Sequence, residues 1–180
     1  MSVAVPRTTL LLAITSAISL VPYADPQGRF RLLRPAAWQV ERVQVNLMET
    51  VFYRDDPHRG PRVVVVRQAP LAASGLRQAA CLMLQYVRPA DTMPPQSGPW
   101  PRRRCGFPWS FHASAATSAE GEAIWQVGRL RERALYRIRL LRESGGDVLQ
   151  VDFLAGVAPV DEFSDLRPVF RRILRSYRTP

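Results

Sequence analysis

Residues 134–155, "ALYRIRLLRESGGDVLQVDFLA", constrain the fold more than any other stretch of the chain. Tyr136, Ile138 and Leu140 alternate with Arg137 and Arg139. Leu149, Val151 and Phe153 alternate with Gln150 and Asp152. A period of two residues places an apolar row on one face of a strand and a polar row on the other. "ESGGD" between the two runs predicts a hairpin turn, so the pair is antiparallel. A chain that contains this hairpin must build an antiparallel sheet and cover at least one of its faces.

The remaining segments extend that sheet. "GRFRLLRP" alternates in the same way, with Phe30 and Leu32 opposite Arg29 and Arg31, and ends at Pro35. Further strands are predicted at 38–45 and 50–55, and a turn-rich loop, "DDPHRGP", follows. "RVVVVRQ", residues 62–68, is apolar on both faces, as a central strand covered on both sides must be. Beyond residue 108 come strands in "WSFHASA" and "EAIWQVGRLRE", the second taken as a single run.

Two segments change to a helical period. Leu76, Ala79, Ala80, Met83 and Val87 form a stripe, with Ser74 as the expected N-cap. Near the C-terminus, Val169, Phe170, Ile173, Leu174 and Tyr177 form a second stripe. Pro168 is placed in the first turn of that helix, and Arg171, Arg172, Arg175 and Arg178 on its wet side. The fold class is therefore α+β, an antiparallel β-sheet with helices packed on it.

Domain organisation is simple. The length of 180 residues suits one domain. Residues 1–20 read as a candidate signal segment, with Arg7 before the apolar run at 10–14 and Ala17 and Ser19 at the −3 and −1 positions of a cleavage site. An N-terminal arm is the alternative reading. Residues 21–180 form the domain, interrupted by a loop at 88–108 with six Pro and a run of three Arg. Cys81 and Cys105 have no metal-ligand spacing; they are either a disulfide, if the chain is exported, or two separate buried thiols.

Charge narrows the partners. All 25 basic residues are Arg, and the formal net charge is +10. Such a surface favours an acidic protein face, an anionic membrane surface or nucleic acid. The candidate binding residues are Arg102, Arg103 and Arg104 in the Pro-rich loop, and Arg171, Arg172 and Arg175 on the end helix. Trp100 and Trp109 beside the first run leave single-stranded nucleic acid as an alternative partner.

Little here speaks for catalysis. There are two His, and no G-x-S-x-G, phosphate-loop or dinucleotide motif. No residue set for an enzyme emerges, and the expectation is a non-catalytic protein. Asp55, Asp56 and His58 share one loop and form the candidate site for a divalent metal (Ca, Mn or Zn), with a solvated turn as the competing reading.

The order of these pieces carries a resemblance. Tyr23-x-Asp25-x-x-Gly28 precedes the strand at 30–33, then Pro35-x-x-Trp38, then Val51-Phe52 with Asp55. A Val-rich strand, a helix, a β-meander and the amphipathic "FRRILRSY" follow. This series resembles the PsbP domain family, its cyanobacterial-type members in particular, within the Mog1/PsbP group of α-β-α sandwiches. It covers residues 23 to about 68 and 136–177. The resemblance implies an extracytoplasmic, membrane-peripheral accessory protein of photosystem II, in the thylakoid lumen or periplasm, that aids assembly or stability of the oxygen-evolving side. Cyanobacterial-type members carry a lipid-modified Cys at the end of the signal, and this chain has none there. An exported binding module of the same fold, unrelated to photosynthesis, is the alternative.

Overall fold

The computed structural model describes residues 18–44, 48–88, 105–144 and 148–180. In chain order the elements are β1 (Leu20–Ala24), β2 (Arg31–Pro35), β3 (Gln39–Gln44), β4 (Met48–Tyr53), β5 (Arg62–Ala72), α1 (Leu76–Val87), β6 (His112–Ala115), β7 (Ser118–Val127), β8 (Leu130–Ser144), β9 (Val148–Pro159) and α2 (Val160–Ser176). β3 to β9 form one antiparallel sheet in the order β3-β4-β5-β9-β8-β7-β6, and β1 and β2 form a separate two-stranded ribbon.

The two central strands explain the layering. Along β5, Val64 and Val66 enter one core while Val63 and Val65 enter the other. α1 closes the first core, packing Ala80, Met83 and Leu84 over Tyr136, Ile138, Val151 and Phe153. α2 closes the second with Phe163, Phe170, Ile173 and Leu174, joined by Phe30, Leu32 and Trp38 from the ribbon and the turn after it. Each large apolar side chain buried this way contributes about 1.5–3 kcal/mol. Gly156 lets α2 settle onto β9, since a Cβ there would sit 2.3 Å from Phe170 Cγ.

Buried charges tie the layers together. Arg62 and Glu132 are both buried and pair through two bonds of 2.7 and 3.0 Å. Trp125 Nε1 donates to the same carboxylate, and Arg62 also donates to the Val87 carbonyl, satisfying the last turn of α1. On the other face Asp152 accepts from Arg67 and from the Tyr177 hydroxyl. It also accepts from the Gln68 amide, where φ of 52° marks a bulge that sets residues 67 and 68 against this one residue. Arg67 donates further to the Arg29 carbonyl, which locks the ribbon to the sheet.

Several expectations need correction. The run at 122–132 is not one strand. Gly128, with φ of 59°, opens a two-residue turn that folds β7 against β8, the positive φ falling on the first turn residue as in type II′ hairpins. Pro168 lies inside α2 rather than in its first turn, and the helix starts earlier, burying Phe163 and Leu166. Pro168 is exposed, so the carbonyl its missing N–H leaves unpaired is open to water. Ser74 is not the N-cap of α1. That position is Gly75, and the Ser74 amide and hydroxyl both donate to Gln78 Oε1 instead. β1 was not anticipated as a strand; it begins at Leu20, directly after the candidate cleavage position.

Cys81 and Cys105 form a disulfide with a Cα separation of 5.6 Å. It pins the segment entering β6 to α1, beside Phe107 packed edge-on against Trp125. Ser110 bonds across to β7, where Gly121 leaves room for its carbonyl; a Cβ on Gly121 would stand 2.1 Å from that oxygen.

Candidate functional site

The chemistry of this chain is concentrated in its arginines, and the fold divides them. One set is consumed internally: Arg29 by Asp25, Arg62 by Glu132, Arg67 by Asp152, and Arg133 and Arg167 by Glu122. The carboxylates show the effect. The side-chain hydrogen bond from Arg29 holds Asp25 below its ordinary value. Burial alone would raise Glu122, but the hydrogen bonds from Arg167 and Arg133 outweigh it and hold it low.

The second set has no acidic partner among the described residues and faces water. Arg171, Arg172 and Arg175 are exposed on the C-terminal half of α2. Arg178 follows, turned toward the carbonyls of Arg175 and Tyr177, and its backbone pairs with that of exposed Arg31 on the ribbon. Arg137 and Arg139 are half-buried on β8. Their neighbours in the register are Leu154 and Asp152 of β9, which belong to the α2 side of the sheet, so these two arginines share that side. Arg139 donates to Thr179 Oγ1, which fixes it beside the end of α2.

The α2 side of the sheet is covered unevenly. α2 packs on β8, β9 and the ribbon, leaving β7 with strict alternation: Ala119, Gly121, Ala123 and Trp125 are buried against α1, while Glu120 and Gln126 on the other face are exposed. Beside α2 there is thus a shelf floored by β7 and β6. Arg167 reaches over it to Glu122 on β7.

The site residues expected from sequence fall as follows. Arg171, Arg172 and Arg175 lie together on this surface. Arg102, Arg103 and Arg104 lie outside the described residues, as does most of the loop at 88–108. Asp55, Asp56 and His58 sit in the β4–β5 loop and do not converge on a common point for a metal. Asp56 Oδ1 accepts the amides of His58 and Arg59, the bonding of an Asx turn, and Asp55 pairs with Arg54, which also binds Glu162. Among the described residues no group of three or more His, Cys, Asp or Glu is placed to hold a metal ion. His112 is on β6, at the opposite side of the sheet from that loop. Arg137 and Arg139 belong to "RIRLLR", a run that the sequence allows to join the helix arginines in one basic surface only if both point the same way; the face they occupy depends on pairings across the sheet.

A shallow groove of about 470 Å³ beside the ribbon is lined by Pro22, Tyr23, Ala24, Arg31, Leu33 and Ser176. Its titratable groups are Tyr23 and Arg31. No helix among the described residues is long and apolar enough to cross a membrane.

These layers define the class: the chain has the α-β-α sandwich of the Mog1/PsbP type. Its structure is similar to that of the Ran-binding protein Mog1p of Saccharomyces cerevisiae, with a TM-score of 0.51 at 9% identity, over 91% of this chain and 96% of that one. It also matches cyanobacterial PsbP from Synechocystis (TM-score 0.45, 11% identity, 92% of this chain and 95% of that one). LpqN of Mycobacterium tuberculosis, involved in cell envelope biogenesis, matches with TM-score 0.48 and 16% identity, over 90% of this chain and 91% of that one. No protein-family profile matches the sequence, and no curated protein does.

Proposed function

We propose that this chain is a non-catalytic, extracytoplasmic binding module that docks on an acidic protein surface through the arginines of α2 and β8. One observation carries the reading. Asp152 and Glu122 beside this face are spent on internal arginines, and Arg137, Arg171, Arg172 and Arg175 form no ion pair among the described residues, exposed Glu120 being the one unspent acid next to Arg137. A surface of that kind steers an acidic partner and binds it with strong salt dependence. The Cys81–Cys105 disulfide supports an oxidising compartment, and the start of β1 directly after the candidate cleavage position is in keeping with export. The partner nominated by the sequence resemblance is photosystem II on its oxygen-evolving side; an envelope or periplasmic protein is the counterpart if the source lacks photosystems.

The test joins compartment and docking. Thiol trapping of the protein in its own cells should find Cys81 and Cys105 oxidised and the N-terminus processed near residue 20. Gentle solubilisation at low salt should co-elute the partner, and high salt should release it. Reduced cysteines with an intact N-terminus would reject export, and salt-insensitive association would reject electrostatic docking.

A further inference from the structure

The shelf beside α2 carries its arginines in two matched rows. α2 and β8 run side by side, held at one level by Arg167 on Glu122, whose register partner is Leu135, and at another by Thr179 on Arg139. One step of four residues along a helix advances about 6 Å. One step of two residues along a strand advances about 6.8 Å. From the Arg167 level, Arg171 therefore keeps pace with Arg137, and Arg175 and Arg139 follow within about one further step, since Thr179, beyond the end of the helix, is the residue that Arg139 reaches. The floor between the rows and the sheet edge is β7 and β6, about 10 Å wide at the usual strand spacing.

We propose that this shelf receives an extended acidic polypeptide segment of the partner, lying along β7 with Asp or Glu at every second residue. The inference rests on the reading of this face as an acidic-partner site and names the form of the ligand. The repeat of an extended chain, about 6.8 Å per two residues, matches both arginine rows. A flat anionic membrane does not fit, because α2 is a helix about 10 Å thick that stands above the floor and holds a plane away from half-buried Arg137 and Arg139. With Glu122 already paired to Arg133 and Arg167, Glu120, exposed on the floor and paired in register with Arg137, is the acid among the described residues that opposes such a ligand within this stretch.

The probe is a ten-residue peptide of alternating Glu and Ser, compared at low salt with a peptide of the same composition whose Glu residues are consecutive. The alternating peptide should bind about fivefold more tightly, and the double variant Arg137→Gln/Arg139→Gln should lose about tenfold for it. Glu120→Gln should gain about threefold, a result that misfolding cannot imitate, while Arg59→Gln, a distant charge control, should change affinity less than about twofold. Equal affinity for the two peptides, or indifference to the double variant, would overturn the shelf. If phosphatidylglycerol vesicles bind instead, without regard to Arg137 and Arg139, the shelf fails while electrostatic docking stands. Binding to neither peptide nor vesicle would overturn both.

Discussion

At the scale of single residues, this protein places its charges in environments of opposite consequence. Glu132 neutralises a buried guanidinium, so Glu132→Gln strands the Arg62 charge and should cost about 3–5 kcal/mol in denaturant unfolding. Replacing both partners together, with Arg62→Met and Glu132→Leu, should recover much of that loss. Two carboxylates should respond to pH in opposite senses. Asp25, held low by Arg29, stabilises the fold above its unfolded-state value and loses that contribution as pH falls through its folded value. Glu49 is raised by burial, partly offset by the hydrogen bond from the Tyr86 hydroxyl. A raised carboxylate means the folded state holds the proton longer, so stability falls as pH rises past the ordinary Glu value. Glu49→Gln should thus be more stable than the parent at neutral pH, with the gap closing in acid, and Asp25→Asn less stable, also with the gap closing in acid; thermal unfolding across pH reads both. None of these roles was legible in the sequence. Arg62 and Arg67 look like the wet ends of a valine strand, and their partners lie 70 and 85 residues away.

The elements were more legible because their signals are local. Alternation in β8 and β9 and the apolar stripe of α2 are periodic over many residues, so the type and place of those elements are legible, while the starts of β8 and α2 are not. The turn at Gly128 was missed because polar and apolar residues run through it without a break, and the early start of α2 because Pro168 reads as an entry point. The disulfide is not decided by the sequence, since its two cysteines are 24 residues apart and only the packing of α1 against the segment before β6 brings them together. Replacing both by Ala should cost about 3 kcal/mol by the chain-entropy account, and a reductant should lower the Tm of the parent but not of the variant. Gly156→Val should destabilise the domain by about 1–3 kcal/mol or more, because the new side chain meets the Phe170 ring and α2 must lift off β9. Loss of the α2 helical signal before global unfolding, followed by circular dichroism, would mark that route.

At the scale of the whole molecule, the uneven covering of the sheet gives the fold its directional charge. Among the described residues, α1 seals one side while α2 and the ribbon seal only part of the other, and Arg137, Arg139, Arg171, Arg172 and Arg175 lie where that cover ends. The acids Asp161, Glu162 and Asp165 sit at the opposite end of α2, so the helix is itself strongly polarised. The arginine alternation was visible from sequence, but not its alignment with α2, which needs the order β9-β8-β7 and the return course of the helix. The measurement that tests this account most directly is the salt dependence of partner retention in extracts of the protein's own cells, for the parent and for the triple variant Arg171→Gln/Arg172→Gln/Arg175→Gln. The parent should be retained at low salt and released as salt rises, and the triple variant should be released at distinctly lower salt with its fold intact. Identical release profiles for the two proteins would contradict the assignment of docking to this arginine face.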